Sequence, residues 1–244
     1  MNLTPIEKKD NIFFKRDDLF EYCGVNGGKV RTAKILCEKA INGITSAGSR
    51  SSPQIKIISH ISNYLGLPFN AHTTLGELGD NLKECKKFNN VNIIQHQYGY
   101  NSVIIKRAKD NAQELNYTYI PFGMERKEAI GQTKGQVKNI PFREIKRIVV
   151  PVGSGMTFCG IANGLYELKI DIPLIGISVG ANPLKRLQKY LPLFYKNYKI
   201  EYSEEKYSTK ILESKFMGVD LHPIYEAKCI PFIKEKDLFW IVGK

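Results

Sequence analysis

The sequence predicts an α/β fold with mainly parallel sheets flanked by helices. Short apolar runs recur along the chain, each followed by a polar loop and then by a segment with apolar residues three or four apart. Strands joined through crossover helices produce that alternation. In addition, Val149-Val150-Pro151-Val152 runs through Gly153-Ser154-Gly155 directly into a helical pattern. Folds of this class collect ligands at such junctions, where a strand ends and a helix begins.

In chain order, strands are predicted at residues 12–14, 43–46, 67–71, 91–94, 119–121, 148–150 and 174–178. Helices are predicted at 29–40, 52–65, 78–88, 102–115 and 157–167, each with one apolar face. No internal repeat or low-complexity linker divides the chain. The Gly-, Gln- and Lys-rich stretch 131–139 is the expected boundary between two strand–helix series.

With 244 residues and 43% hydrophobic composition, the chain can bury a substantial core. Its longest apolar runs are far shorter than the twenty or so residues that cross a bilayer. The N-terminal segment is polar and lacks a secretory h-region. A soluble, cytoplasmic protein without membrane contact is expected, in the host cytoplasm if the source is viral. Five scattered cysteines suit free thiols. The four histidines show no metal-ligand spacing, so no metal is expected. A formal charge of +12, denser around Lys185, Arg186, Lys189, Lys196 and Lys199, suggests an anionic partner. Abundant Lys, Asn, Ile and Tyr together also match an AT-rich coding sequence, so charge supports nucleic-acid contact only weakly.

Two constellations carry chemistry. The first is Lys15-Arg16-Asp17-Asp18-Leu19, followed by Asn26-Gly27-Gly28-Lys29-Val30-Arg31. Paired glycines let the backbone turn sharply before a lysine that opens a helix. A P-loop is excluded, because Cys23 and Val30 stand where glycine and a hydroxyl are needed. An amine at a helix N-terminus lies in positive potential, which favours the neutral form able to attack an aldehyde. Taken alone, a Gly-Gly-Lys turn is ordinarily just a turn.

The second constellation is the loop Gly153-Ser154-Gly155-Met156-Thr157. Small residues let backbone N–H groups approach phosphate oxygens, the hydroxyls of Ser154 and Thr157 add donors, and the helix dipole favours negative charge. A dinucleotide fingerprint would need glycine at Phe158 and an acidic residue closing the βαβ unit. A monophosphate is therefore favoured over NAD.

Together the motifs resemble the tryptophan-synthase-β-like class of pyridoxal-phosphate (PLP) enzymes, most closely the family of 1-aminocyclopropane-1-carboxylate deaminase and D-cysteine desulfhydrase. The resemblance covers most of the chain. The family's cofactor-bearing lysine, after a Lys-Arg-Asp/Glu-Asp strand and a Gly-Gly-Asn-Lys turn, maps onto Lys29. Its Gly-Ser/Thr-Gly-Gly-Thr phosphate loop matches Gly153, Ser154, Gly155, Met156 and Thr157, with Met156 replacing one glycine. Its Asp-Pro-Val-Tyr-Glu/Thr-x-Lys segment matches His222-Pro223-Ile224-Tyr225-Glu226-Ala227-Lys228. The resemblance implies that Glu226 faces the pyridine nitrogen and keeps it protonated. It also places Tyr225 beside the ring, as an acid/base or stacking group or as a half-buried packing tyrosine. It further implies a two-lobed fold, with residues 1–42 and 136–244 as the PLP-binding lobe and 43–135 as a smaller lobe, and it allows a homodimer.

Two departures bear on the substrate. The family's Gly-Gly-x-Gln-Ser-Asn-His/Gln segment reads Gly48-Ser49-Arg50-Ser51-Ser52-Pro53-Gln54, so Pro53 replaces an asparagine and removes a backbone donor. Arg50, Ser51, Ser52 and Gln54 are the expected substrate-binding residues, and Arg50 is a new positive charge. The segment Phe239-Trp240-Ile241-Val242-Gly243-Lys244 stands where relatives end in His-Thr-Gly-Gly, and covering loops look reduced. A PLP-dependent lyase acting at the α-carbon of an amino-acid moiety is expected. The altered carboxylate site and the charge point towards decarboxylation of an amino acid attached to thymidine in phage DNA hypermodification. The alternatives are a deaminase or desulfhydrase of free D-cysteine or a related amino acid, and a non-catalytic PLP-binding or nucleic-acid-binding remnant.

Overall fold

The computed structural model describes residues 2–97, 100–180 and 182–243. The chain divides into two compact units. One comprises Met1–Phe20, Asn26–Gly28 and Lys127–Lys244, the other Glu21–Val25 and Lys29–Arg126.

The first unit is built on a six-stranded sheet in the order Ile6–Lys9, Ile12–Arg16, Asp237–Ile241, Arg147–Val152, Leu174–Ser178, Tyr198–Tyr202. Its first pair is antiparallel and every other pairing is parallel. Parallel strands covered on both faces read as unbroken apolar runs rather than as alternation. Every residue of Asp237–Ile241 is buried, as are all but the first of Arg147–Val152. Ile148, Val150, Leu238 and Trp240 join one core and Val149, Phe239 and Ile241 the other, the two-residue period of a sheet with a core on each side.

The strand Asp237–Ile241, absent from the expected elements, lies in the middle of this sheet and is held to both neighbours. The Lys15-Arg16-Asp17-Asp18 motif is part of the same architecture. Lys15 is fully buried and donates from Nζ to Thr4 O at 2.8 Å and to Asn139 Oδ1 at 2.7 Å. Asp17 accepts from Thr4 Oγ1 at 2.6 Å and from Trp240 Nε1 at 2.9 Å. Arg16 grips Asp18 through two bonds, at 2.9 and 2.8 Å, and also meets Glu7 at 2.6 Å. Buried charges persist where each finds partners, so this motif holds strands together.

Residues 131–139 do not form the expected boundary. They lie in helix Lys127–Gln136 and the 3-10 turn Val137–Asn139, and the expected break between 135 and 136 falls inside the helix. This helix packs against helix Met156–Glu167 so closely that a Cβ on Gly160 would come 2.5 Å from Thr133 Cβ, and one on Gly164 2.6 Å from Val137 Cγ2. Residues 29–42 belong with the second unit.

The second unit has a fully parallel sheet in the order Val91–His96, Phe69–Thr74, Ile44–Ala47, Thr118–Ile120. Helix Pro53–Leu65 starts with Ser52 as its cap and proline at its first position, where a missing N–H costs nothing. It stops at Gly66 in the left-handed conformation (φ 67°). Among the described residues, no helix is long and apolar enough to cross a membrane.

A polar network lies beneath helix Asn101–Glu114. His72 is buried, and its Nδ1 lies 2.8 Å from His96 Nε2, while its Nε2 lies 3.2 Å from Asn111 Oδ1, which also accepts from Asn70 Nδ2 at 2.9 Å. Burial lowers the affinity of both imidazoles for protons, with the neighbouring His96 adding to the effect on His72 and Arg107 to that on His96. Below the ordinary imidazole value of 6.5 the unfolded chain therefore binds more protons than the folded one. Stability is fully present above that pH and falls as the pH drops through it. Thermal melts across this range should show a smaller acid-side loss for His72→Asn than for the unaltered protein. Identical losses would show that folding does not lower the proton affinity of His72.

Candidate functional site

Strand Arg147–Val152 delivers the chain into Gly153-Ser154-Gly155 and then into helix Met156–Glu167. Gly155 adopts φ 85°, a conformation that favours glycine, and a Cβ there would lie 3.3 Å from Leu187 Cδ2. A Cβ on Gly153 would lie 3.2 Å from the Tyr225 ring. No side chain caps the helix and its first turn holds no acidic residue, so backbone donors at this end have no side-chain acceptor or carboxylate of the helix itself. Ser154 and Thr157 are half-buried, while the Met156 side chain is buried.

Tyr225 and Glu226 follow in the same unit. Glu226 is 1% exposed, and its Oε1 accepts N–H bonds from Val242 at 2.9 Å and Gly243 at 3.3 Å. The carbonyl of Val242 in turn accepts from the Gly28 N–H at 2.7 Å. Gly27, at φ 116°, permits this approach, since a Cβ there would lie 3.1 Å from the same carbonyl. Lys29 is the next residue after Gly28, half-buried at the second position of helix Gly28–Glu38. The tail that departs from the resembled family thus supplies the backbone link between the carboxylate and the Gly-Gly-Lys turn.

The Tyr225 hydroxyl lies 2.7 Å from that of Tyr207, and either can be the donor. Burial, with the neighbouring Tyr207, pushes the Tyr225 phenol well above its ordinary range, so it is held protonated. Lys228 is 2% exposed and donates from Nζ to the carbonyls of Lys206 at 2.6 Å and Tyr207 at 3.1 Å, with burial lowering its proton affinity. It fastens the segment that carries Tyr207. Arg186 donates from Nη1 to Ser154 O at 3.4 Å. Sequence reading registered Arg186 and Lys228 only as a charge and a motif position and did not register Tyr207, because residues this far apart share no local pattern.

The four expected substrate-binding residues lie in the second unit. Arg50 is exposed and rests against the turn at Gly76 and Glu77, where Nη1 lies 3.5 Å from Glu77 O and 2.2 Å from a Cβ built on Gly76. Ser51 is exposed beside Gly79, and its carbonyl accepts from Asn81 Nδ2 at 3.1 Å. The Ser52 hydroxyl caps its helix by accepting from Ile55 N–H at 3.4 Å. Gln54 is 4% exposed and spends its amide nitrogen on Ser46 Oγ and Pro121 O, both at 2.9 Å. Ser52 and Gln54 therefore have structural duties that the sequence pattern does not reveal.

These features fit a phosphate-bearing aldehyde cofactor. In the first unit, a glycine loop where a Cβ at Gly153 or Gly155 would be tight, an uncapped helix start and a buried carboxylate are groups such a cofactor needs.

No family model matches the chain, and no curated protein sequence matches it. Solved structures do. An ACC deaminase homologue superposes with a TM-score of 0.85 at 21% identity, covering 100% of this chain and 90% of its own. Maize serine racemase gives a TM-score of 0.68 at 14% identity, covering 99% and 89%. A pyridoxal 5'-phosphate-dependent aspartate racemase gives 0.59 at 14% identity, covering 98% and 74%. The two-unit α/β chain, with its parallel sheets flanked by helices, has the fold that these three proteins share.

Proposed function

We propose that the protein is a PLP-dependent lyase acting at the α-carbon of an amino-acid moiety. Lys29 carries the cofactor, residues 153–157 hold its phosphate and Glu226 meets its pyridine nitrogen. The observation that carries this reading is the backbone link from Glu226 through Val242 to Gly28, which ties the carboxylate to the residue preceding Lys29. PLP, when bound, supplies an electron sink for the pair released as a bond to the substrate α-carbon breaks. The chain's own groups do the rest. Glu226 would face the ring nitrogen and hold a proton there, Tyr225 would act as a donor because burial holds its proton, and the Lys29 amine would move a proton at the substrate α-carbon.

Fold likeness over the full chain to an ACC deaminase homologue supports elimination from a free amino acid. A second reading, decarboxylation of an amino acid attached to thymidine in DNA, is favoured by one observation. Ser52 and Gln54 are engaged within their own unit and Pro53 offers no N–H, which reduces the groups able to hold a substrate carboxylate. Purified protein with PLP should be incubated with D-cysteine, 1-aminocyclopropane-1-carboxylate and amino-acyl-thymine DNA, with products followed by mass spectrometry. Ammonia or sulfide from the free amino acids establishes the first reading, and carbon dioxide from DNA the second. A Lys29–cofactor adduct with no product from any of them would favour a non-catalytic PLP-binding protein.

A further inference from the structure

The positive charge of the chain is unevenly placed. Between Asp171 and Glu201 the sequence carries five Lys or Arg residues and four aromatic residues, with no Asp or Glu. The later part of this stretch forms helix Leu184–Tyr190, the edge strand Tyr198–Tyr202 and the loop that joins them, all in the first unit. The loop borders an open recess of about 650 Å³, within the size range of ligand sites. Tyr166, Lys169, Phe194 and Lys196 line it and are all exposed, Phe194 at 78%. Among the described residues the one carboxylate lining the recess is Asp171, which accepts from Asn197 Nδ2 at 2.8 Å. The exposure of Phe194 does not come from slack in the loop. Asn163 Nδ2 donates to Tyr190 O at 2.9 Å on one side of it, and the buried Tyr195 hydroxyl donates to Ile172 O at 2.9 Å on the other. A pinned loop that holds Phe194 and Leu193 in water forgoes the burial that apolar side chains gain elsewhere, which is the mark of a surface with a partner.

We propose that this recess binds single-stranded nucleic acid, with a base stacked on Phe194 and neighbouring phosphates met by Lys169 and Lys196. A bare aromatic ring beside lysines answers both halves of such a ligand, its π-face and its charge. A duplex keeps its base faces covered, so the ring selects for single strands. The inference stands apart from the PLP reading, because it uses none of the groups assigned to the cofactor.

The test follows the fluorescence anisotropy of a labelled oligothymidylate at several salt concentrations, with no amino-acid substrate present. It compares the unaltered protein with Phe194→Ala, Phe194→Tyr, Lys169→Gln and Lys196→Gln, each checked for folding by a thermal melt. Lys86→Gln, at an exposed lysine of the second unit, controls for the loss of one charge elsewhere. Phe194→Ala should weaken binding about fivefold to a hundredfold, the range for one base stacked on an aromatic ring, and Phe194→Tyr should retain it. Lys169→Gln and Lys196→Gln should each flatten the slope of log affinity against log salt by about 0.7, and Lys86→Gln should leave it unchanged. The same strand annealed to its complement should bind more weakly. Absence of binding at low salt, or binding that the recess variants leave unchanged, overturns the proposal. Lysine effects without an effect of Phe194→Ala overturn it as well, by reducing the surface to a general polyanion patch. Self-association that Phe194→Ala abolishes, with no oligonucleotide bound, would overturn it in favour of a second copy of the chain. Every one of these outcomes leaves the PLP reading untouched, since no step of that chemistry is measured.

Discussion

Lys29→Ala should yield a colourless protein that no longer retains PLP covalently, whereas the unaltered protein should be yellow and fixed by borohydride on Lys29. Three local features set this expectation. Gly27 turns the chain at φ 116° against the Val242 carbonyl, a conformation that favours glycine. Gly28 N–H is bonded to that carbonyl at 2.7 Å, so the backbone leading into Lys29 is fixed by the tail of the chain. Lys29 then stands in the first turn of helix Gly28–Glu38, at the positive end of the helix macrodipole. The expected effect is all-or-none, because a covalent attachment has no substitute at an alanine. Peptide mapping after borohydride reduction decides it. An adduct on another lysine would remove Lys29 from its role, and a phosphate site that still bound PLP non-covalently in Lys29→Ala would leave the loop assignment standing by itself.

How far these residues can be read without a structure depends on where their partners lie. Helix Pro53–Leu65 and strand Leu174–Ser178 announce themselves locally, through a cap and an apolar period in one and a β-branched run in the other. Strand Asp237–Ile241 does not. A short unbroken apolar run has no period that separates a buried strand from a helix fragment, and its place in the sheet is set by Ile12–Arg16 and Arg147–Val152, far away in sequence. Strand Ile6–Lys9 carries a single apolar residue at its start and is likewise invisible. The glycines of 131–139 looked like punctuation. The glycines that matter for that region are Gly160 and Gly164 on the partner helix, where the absence of side chains lets two helices touch.

The site divides in the same way. Lys29, the glycine loop and Glu226 are legible because their chemistry depends on side-chain type at fixed spacing. The groups that hold Glu226 are the backbone N–H groups of Val242 and Gly243, which leave no mark on residue identity. Tyr207 reaches Tyr225 from a segment whose backbone carbonyls are held by buried Lys228. Conversely, Lys15-Arg16-Asp17-Asp18, which helped to mark the family resemblance, spends its charges on Thr4, Asn139, Glu7 and Trp240. A motif can thus mark a fold through residues whose described contacts are structural.

Glu226→Gln separates the charge of this residue from its architecture. Glutamine keeps an oxygen able to accept the N–H groups of Val242 and Gly243, so the link to Gly28 should survive and PLP should still bind. What disappears is the negative charge expected to keep the pyridine nitrogen protonated, and with it much of the cofactor's capacity to accept electrons. Turnover of whichever substrate proves active should fall about a hundredfold or more, the scale of removing one electrostatic partner from a developing charge. Glu226→Ala should behave differently, because two N–H groups then lose their buried acceptor. It should lower the melting temperature and weaken PLP as well as turnover. The three proteins are compared by PLP titration, thermal melts and initial rates. Glu226→Gln with near-normal rates would make Glu226 a structural residue that merely holds Val242 and Gly243, and the proposed contact with the pyridine nitrogen would be abandoned.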